Sequence, residues 1–215
     1  MSTALEAHAS ARERLLRGLR EEALVIGEVV LTSGARAQYY VDVKRAILLR
    51  HYFEALAELV AAQAAAWGAT AVGGMTMGAD PIACAALAGG ADVKAFFVRK
   101  EAKQHGLARR IEGPPLEAHE RCMLVEDAVT TGGSTLRALE AVRDTGLEVC
   151  GVLAVCDRLA GGGRAIEAAA GAPYAALTTI DEVYPERPDR LEVAGQAGSP
   201  GRPESPGRPE SPGRG

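Results

Sequence analysis

The sequence predicts an α/β fold: a central, mostly parallel sheet flanked by helices. Three observations predict it. Strand-like apolar runs alternate with helical runs along most of the 215 residues. Several of these runs, AVGG at 71–74 and the stretch 147–157 among them, are apolar almost throughout, as strands covered on both faces are. The glycine-rich polar stretches fall just after such runs, where open parallel sheets bind their ligands.

The elements follow in order. Residues 4–22 are rich in Ala, Leu, Arg and Glu, with Leu15, Leu16 and Leu19 on one helical face. Residues 24–31 and 38–43 form two short strands joined by a Ser33-Gly34 turn. Residues 50–67 form a long Ala-rich helix. The strand 71–74 then runs into a glycine turn. Residues 80–89 are helical, with Pro81 tolerated in the first turn. The strands 93–98 and 121–127 come next, then a helix over 134–145 behind a Ser/Thr start signal. The strand 147–157, a short helix over 163–171 and a last strand over 174–180 complete the fold. Residues 1–195 make one domain. Residues 196–215, built on an SPGRPE repeat, lack core-forming side chains and read as a disordered tail.

Composition narrows the function. The net charge of −4 argues against a surface built for nucleic acid or anionic lipid. No stretch reaches the ~20 apolar residues of a membrane span, and the N-terminus lacks an apolar signal core. Cys84, Cys122, Cys150 and Cys156 form no CxxC pair and read as reduced core thiols. A cytoplasmic protein with no nucleic-acid or membrane partner is expected.

The most informative stretch is Val125-Glu126-Asp127-Ala128-Val129-Thr130-Thr131-Gly132-Gly133-Ser134-Thr135. A buried strand delivers two carboxylates, a loop of hydroxyls and glycines follows, and a helix begins. Loop amides and a helix N-terminus suit a phosphate, and the hydroxyls of Thr130, Thr131, Ser134 and Thr135 add donors. The glycines let backbone approach the anion closely. The acids would repel that phosphate. They suit the hydroxyls of an attached sugar, or a metal. Neither Walker A nor the GxGxxG spacing is present. A second stretch, Arg99 to Glu112, carries five cations against two acids, a net +3 on an acidic chain. A long basic loop between strands fits a highly charged anion such as pyrophosphate.

The run VEDAVTTGGST resembles the signature with which type I phosphoribosyltransferases bind phosphoribosyl pyrophosphate (PRPP). The Arg99-Lys100-Glu101-Ala102-Lys103-Gln104-His105-Gly106 stretch resembles the catalytic loop of the orotate phosphoribosyltransferases, the pyrimidine branch of that family. Three further stretches fit: residues 31–42 with paired Tyr39 and Tyr40, residues 73–81, and Asp157-Arg158 followed by glycines. The resemblance spans nearly all of residues 5–190.

It implies a type I phosphoribosyltransferase fold with a small N-terminal hood, a helix and hairpin at about 3–45. It implies transfer of the 5-phosphoribosyl group from PRPP to orotate with Mg²⁺, giving orotidine 5′-monophosphate and pyrophosphate for pyrimidine biosynthesis. Lys103, Lys100, His105 and Asp127 would be catalytic. Arg99, Lys100, Lys103, His105 and the run Glu126, Asp127, Ala128, Val129, Thr130, Thr131, Gly132, Gly133 and Ser134 would bind PRPP. Thr130, Arg158, Tyr39 and Tyr40 would bind orotate. No dedicated metal ligands are expected, the Mg²⁺ being held mainly through PRPP. A homodimer is implied, with the loop 99–113 of one subunit reaching its neighbour. The chain departs from some members at Thr32 and at Thr76-Met77, where they carry lysines. Two alternatives remain open at this point: a phosphoribosyltransferase for another base, and a PRPP-sensing regulator on the same fold.

Overall fold

The computed structural model describes residues 8–30, 36–101 and 110–190. The Ser33-Gly34 turn, Lys103, His105 and the repeat tail lie outside the described residues.

The chain opens with α1 (Ala9–Gly18), which buries Ala11 and Leu15, and continues as a π-helical turn, Leu19–Ala23. Two antiparallel strands follow, β1 (Leu24–Val30) and β2 (Arg36–Val41). β2 ends two residues earlier than the sequence suggests. Asp42 leaves the strand and the short helix α2 (Val43–Ile47) begins, with Val43, Ala46 and Ile47 buried. α3 (Arg50–Trp67) matches the Ala-rich prediction. Then come β3 (Ala71–Met75), α4 (Asp80–Ala88), β4 (Lys94–Val98) and a two-residue strand β5 (Ile111–Glu112). The remaining elements are β6 (Arg121–Val129), α5 (Gly133–Arg143), β7 (Glu148–Asp157), α6 (Gly162–Ala170), β8 (Tyr174–Thr179) and α7 (Ile180–Val183).

The six-stranded sheet has the order β5-β4-β3-β6-β7-β8. All its pairings are parallel except β4 with β5. The chain steps from β3 outward to β4 and then returns to the other side of β3 as β6. This reversal makes β3 and β6 the switch point of the sheet, and a crevice opens beyond the carboxyl ends of such strands.

Strand alternation divides the core into two layers. Met123 and Val125 of β6 point to the layer built from α1 to α4. Cys122 and Leu124 point to the opposite layer, with Ala138, Leu139 and Val142 of α5. Cys122, Cys150 and Cys156 are buried, as expected, and burial pushes the Cys122 and Cys156 thiols up to about 12. Cys84 departs from the expectation and is exposed. α4 turns Ile82, Ala83, Ala85 and Ala86 inward, which leaves position 84 on the outer side.

At the opposite end of the sheet an ion pair ties three strands together. Glu120 is 3% exposed. It accepts from Lys94 Nζ at 2.5 Å and from the Thr70 hydroxyl, and that hydroxyl accepts from the Arg121 amide at 2.9 Å. The bonds from Lys94 and Thr70 hold the Glu120 carboxyl below its usual range against the cost of burial. Lys94→Met strands that carboxylate. Lys94 is itself partly exposed, so the expected loss is about 1–3 kcal/mol, read as a lowered denaturant midpoint.

Candidate active site

The strand alternation that sorts the core also separates the two acids. Glu126 points to the α5 side, is 5% exposed, and accepts from the Thr135 hydroxyl at 3.1 Å. Asp127 points to the other side. Its Oδ2 accepts from Lys44 Nζ at 2.9 Å, and its Oδ1 accepts from the Ala128 amide at 2.8 Å. Lys44 is also 3.0 Å from Asp42. α2 therefore delivers a cation to the crevice. Burial lowers the Lys44 pKa, but bonds to Asp127 and Asp42 outweigh it and raise the pKa above the lysine range. Burial, then the neighbouring Asp127 charge, pushes Glu126 up to about 7.

β6 runs two residues further than its apolar pattern, to Val129. The phosphate-loop candidates Thr130 and Thr131 are exposed beyond it, and Gly133 and Ser134 are half-buried. The expected Ser/Thr cap of α5 is not what the structure uses. Gly132 stands at the N-cap with φ 83°, and no side chain caps the helix. A residue with a Cβ is strained at that angle, so glycine makes the turn, and no loop hydroxyl is spent on capping the helix. The first-turn amides of α5 have no intrahelical acceptor.

β7 braces this loop from the side. The Arg158 amide donates to Val129 O at 2.8 Å, and the Gly162 amide donates to Thr130 O at 3.0 Å. Arg158 is thereby placed beside Thr130. Its Nε is buried and finds no acceptor among the described residues. Asp157 faces away, accepting from the Leu159 amide at 2.7 Å and the Tyr174 hydroxyl at 3.0 Å.

Tyr39 and Tyr40 do not share a face, because successive residues of β2 alternate. Tyr39 is buried, with the Arg158 guanidinium carbon 5.0 Å from its ring centroid, while Tyr40 is exposed. Gly78, in the loop after β3, packs against Asp127. A Cβ there would meet the carboxylate carbon at 2.7 Å, so this close approach needs glycine. Arg99 and Lys100 leave β4 on the far side of β3. With Thr76, Phe97, Glu101 and Glu112 they line a cavity of about 530 Å³, and Arg99 stands 3.5 Å from Glu112.

The structure thus brings Glu126, Asp127, the loop 130–134, Arg158 and Tyr39 together, with Arg99 and Lys100 at the end of the adjoining strand. Sequence reasoning missed Lys44. The available signal was its rarity, as one of four lysines in the chain, and its place two residues after Asp42. Among the described residues, no group of three or more His, Cys, Asp or Glu side chains is placed to hold a metal ion.

An open parallel sheet with two acids at its switch point, followed by a hydroxyl and glycine loop at a helix start, defines a phosphoribosyltransferase. Similar proteins give the particular family. The chain is 46% identical over 177 residues to the orotate phosphoribosyltransferase of Corynebacterium glutamicum, covering 82% of this chain and 95% of that protein. It is 46% identical over 176 residues to the orotate phosphoribosyltransferase of Streptomyces avermitilis, covering 80% and 96%. Among solved structures, the Mycobacterium tuberculosis orotate phosphoribosyltransferase in complex with PRPP superposes with a TM-score of 0.69 at 37% identity, over 80% of this chain and 98% of that one. No protein-family model matches the chain. The chain belongs to the orotate phosphoribosyltransferase family and has the type I phosphoribosyltransferase fold.

The raised Glu126 carboxyl has a consequence for the ligand-free protein. A carboxyl whose folded pKa of about 7 exceeds the ordinary 4.5 contributes stability below pH 4.5 and loses it as pH rises through 7. Glu126→Gln removes the titration, while its oxygen can still accept from the Asp127 amide and its NH2 can donate to the Thr135 hydroxyl. Between pH 5 and pH 8 the variant should gain on the wild type by on the order of 2–3 kcal/mol. Melting temperatures of the two proteins across that range check this.

Proposed function

We propose that the chain transfers the 5-phosphoribosyl group of PRPP to orotate, releasing pyrophosphate and giving orotidine 5′-monophosphate for pyrimidine biosynthesis. The observation that carries this reading is the shared edge of β6 and β7. It sets a phosphate loop, the crevice-facing Asp127 and a guanidinium with an unfilled donor side by side.

The amides and hydroxyls of residues 130–134 hold the 5′-phosphate. Asp127, with Glu126 behind it, holds the ribose hydroxyls. Its negative charge also favours the positive charge that builds on the sugar as the C1′ bond to pyrophosphate breaks. Arg158 pairs with the orotate carboxylate, whose geometry its planar fork matches. Thr130 stands at the same base. Arg99, Lys100, Lys103 and His105 neutralise the departing pyrophosphate. No protein nucleophile is needed, so catalysis consists of alignment and charge stabilisation.

Mg²⁺ fits this donor set as an ion that arrives on PRPP. The available groups are hard carboxylate oxygens, and Asp127 already spends one lone pair on Lys44 and another on the Ala128 amide. When bound, it offsets the charge of the diphosphate. Residues 1–195 act as the catalytic domain, with residues about 3–45 as a hood over the base. The tail 196–215 takes no part in the chemistry. The working unit is a homodimer in which the loop 99–113 covers the neighbouring site. Charged, phosphorylated substrates place the reaction in the cytoplasm. Among the described residues, no helix is long and apolar enough to cross a membrane.

The direct test mixes protein, PRPP, Mg²⁺ and orotate and follows the loss of orotate absorbance. No loss overturns the reading. In the same assay Lys103→Ala should lower kcat by about 100-fold or more with the fold intact by circular dichroism. Arg158→Ala should act mainly on the orotate KM, raising it by about tenfold or more.

A further inference from the structure

The residues after β8 have no place in the reaction described so far, yet their contacts end directly beneath Arg158. Tyr39 is 5% exposed. Its ring meets the Tyr184 ring edge-on, with centroids 5.3 Å apart and planes at 78°. Its hydroxyl donates towards Asp189, 3.0 Å from Oδ2 and 3.2 Å from Oδ1. Asp189 in turn accepts from Arg187 Nη1 at 2.8 Å. The Arg187 Nε donates to Asp181 at 2.8 Å, and Arg187 is only 4% exposed. Burial acts against charge on both Asp189 and Arg187. Their bonds to each other, to Tyr39 and to Asp181 outweigh it, and both groups stay ionised.

A guanidinium attracted to a ring face needs that face held still. Tyr39 sits on a two-stranded hairpin outside the main sheet, and such hairpins are weak supports on their own. The segment after β8 supplies what the hairpin lacks. It packs Tyr184 against the Tyr39 ring and holds the ring tip through Asp189. Arg158 then rests on a fixed floor with its buried Nε unsatisfied by protein.

We propose that Asp181, Tyr184, Arg187 and Asp189 form an arm that locks Tyr39 beneath Arg158, making Tyr39 a positioning residue for recognition of the pyrimidine carboxylate. The inference rests on the reading of Arg158 as the partner of that carboxylate. It adds that selection of a carboxylated base depends on residues beyond the last strand, none of which touches the substrate.

Three variants test it: Tyr39→Phe and Asp189→Asn, which keep the packing and cut the link between ring and arm, and Tyr39→Leu, which removes the floor. Each is measured alone and combined with Arg158→Ala, with separate KM values for orotate and PRPP. Tyr39→Leu should raise the orotate KM by roughly tenfold, and the two milder variants by roughly threefold. The PRPP KM should stay within about twofold in all three. In the Arg158→Ala background the three substitutions should add nothing further to the orotate KM. An orotate KM unchanged in Asp189→Asn and Tyr39→Phe overturns the arm. So does a full additional factor on top of Arg158→Ala, since Tyr39 would then act independently. An orotate KM unaffected by Arg158→Ala alone instead overturns the reading of Arg158, and the two failures are distinct.

Discussion

Two carboxylates on successive residues of one strand must be kept apart, and much of the crevice is arranged to do so. Strand alternation sends Glu126 and Asp127 to opposite faces of the sheet. Each face then treats its carboxyl differently. The α5 side buries Glu126 and gives it one hydroxyl donor, which leaves proton binding favourable near neutral pH. The α2 side gives Asp127 a lysine and a backbone amide. Glu126 is the member whose surroundings favour the proton, as expected for a buried acid beside another carboxyl.

That separation explains why the hood and the sheet are joined where they are. Lys44 follows β2 by three residues and reaches Asp127, 83 positions later in the chain. The hairpin is thus tethered at the crevice through α2 and braced near Arg158 through Tyr39. Two weak strands gain their place from contacts with functional residues. A change in the hairpin is therefore felt at both Asp127 and Arg158.

The legible parts of this molecule are those whose meaning is contiguous in sequence. Strand β6, its acids and the loop through Ser134 are consecutive, so one reading captures acid, hydroxyl and glycine together. The long helix α3 and the apolar strand β7 announce themselves by length and period. Three short elements escaped: α2, β5 and α7. Few residues carry too little periodicity to be seen, and tertiary contacts fix such elements. The capping of α5 was misread because Ser134 and Thr135 look like cap residues, while Gly132 alone can adopt the left-handed turn. Lys44 and Asp189 escaped for a different reason. Each acts across more than 80 residues of chain, and no local pattern marks such a partner. The adjacent Tyr39 and Tyr40 looked equivalent as a pair, yet strand geometry buries one and exposes the other.

On the proposed reading the two ends of the substrate are held by different kinds of structure, and this has a consequence for how each end tolerates change. The phosphate loop and Arg158 are fixed to each other by backbone hydrogen bonds between the ends of β6 and β7. Their separation follows from the parallel register Val129 with Asp157, which no single side-chain substitution alters. The distance between a nucleotide's phosphate and its base is therefore set by main chain. Among the described residues, the side assigned to pyrophosphate has no comparable template. Met77 is 73% exposed and brings no charge to the loop after β3. On the proposed reading, charge compensation on that side falls to Arg99, Lys100, Lys103 and His105. Geometry at the phosphate and base end is inherited from the sheet, while affinity at the leaving-group end depends on individual cations. Substitutions among those cations should change the chemistry without disturbing the frame that selects the nucleotide.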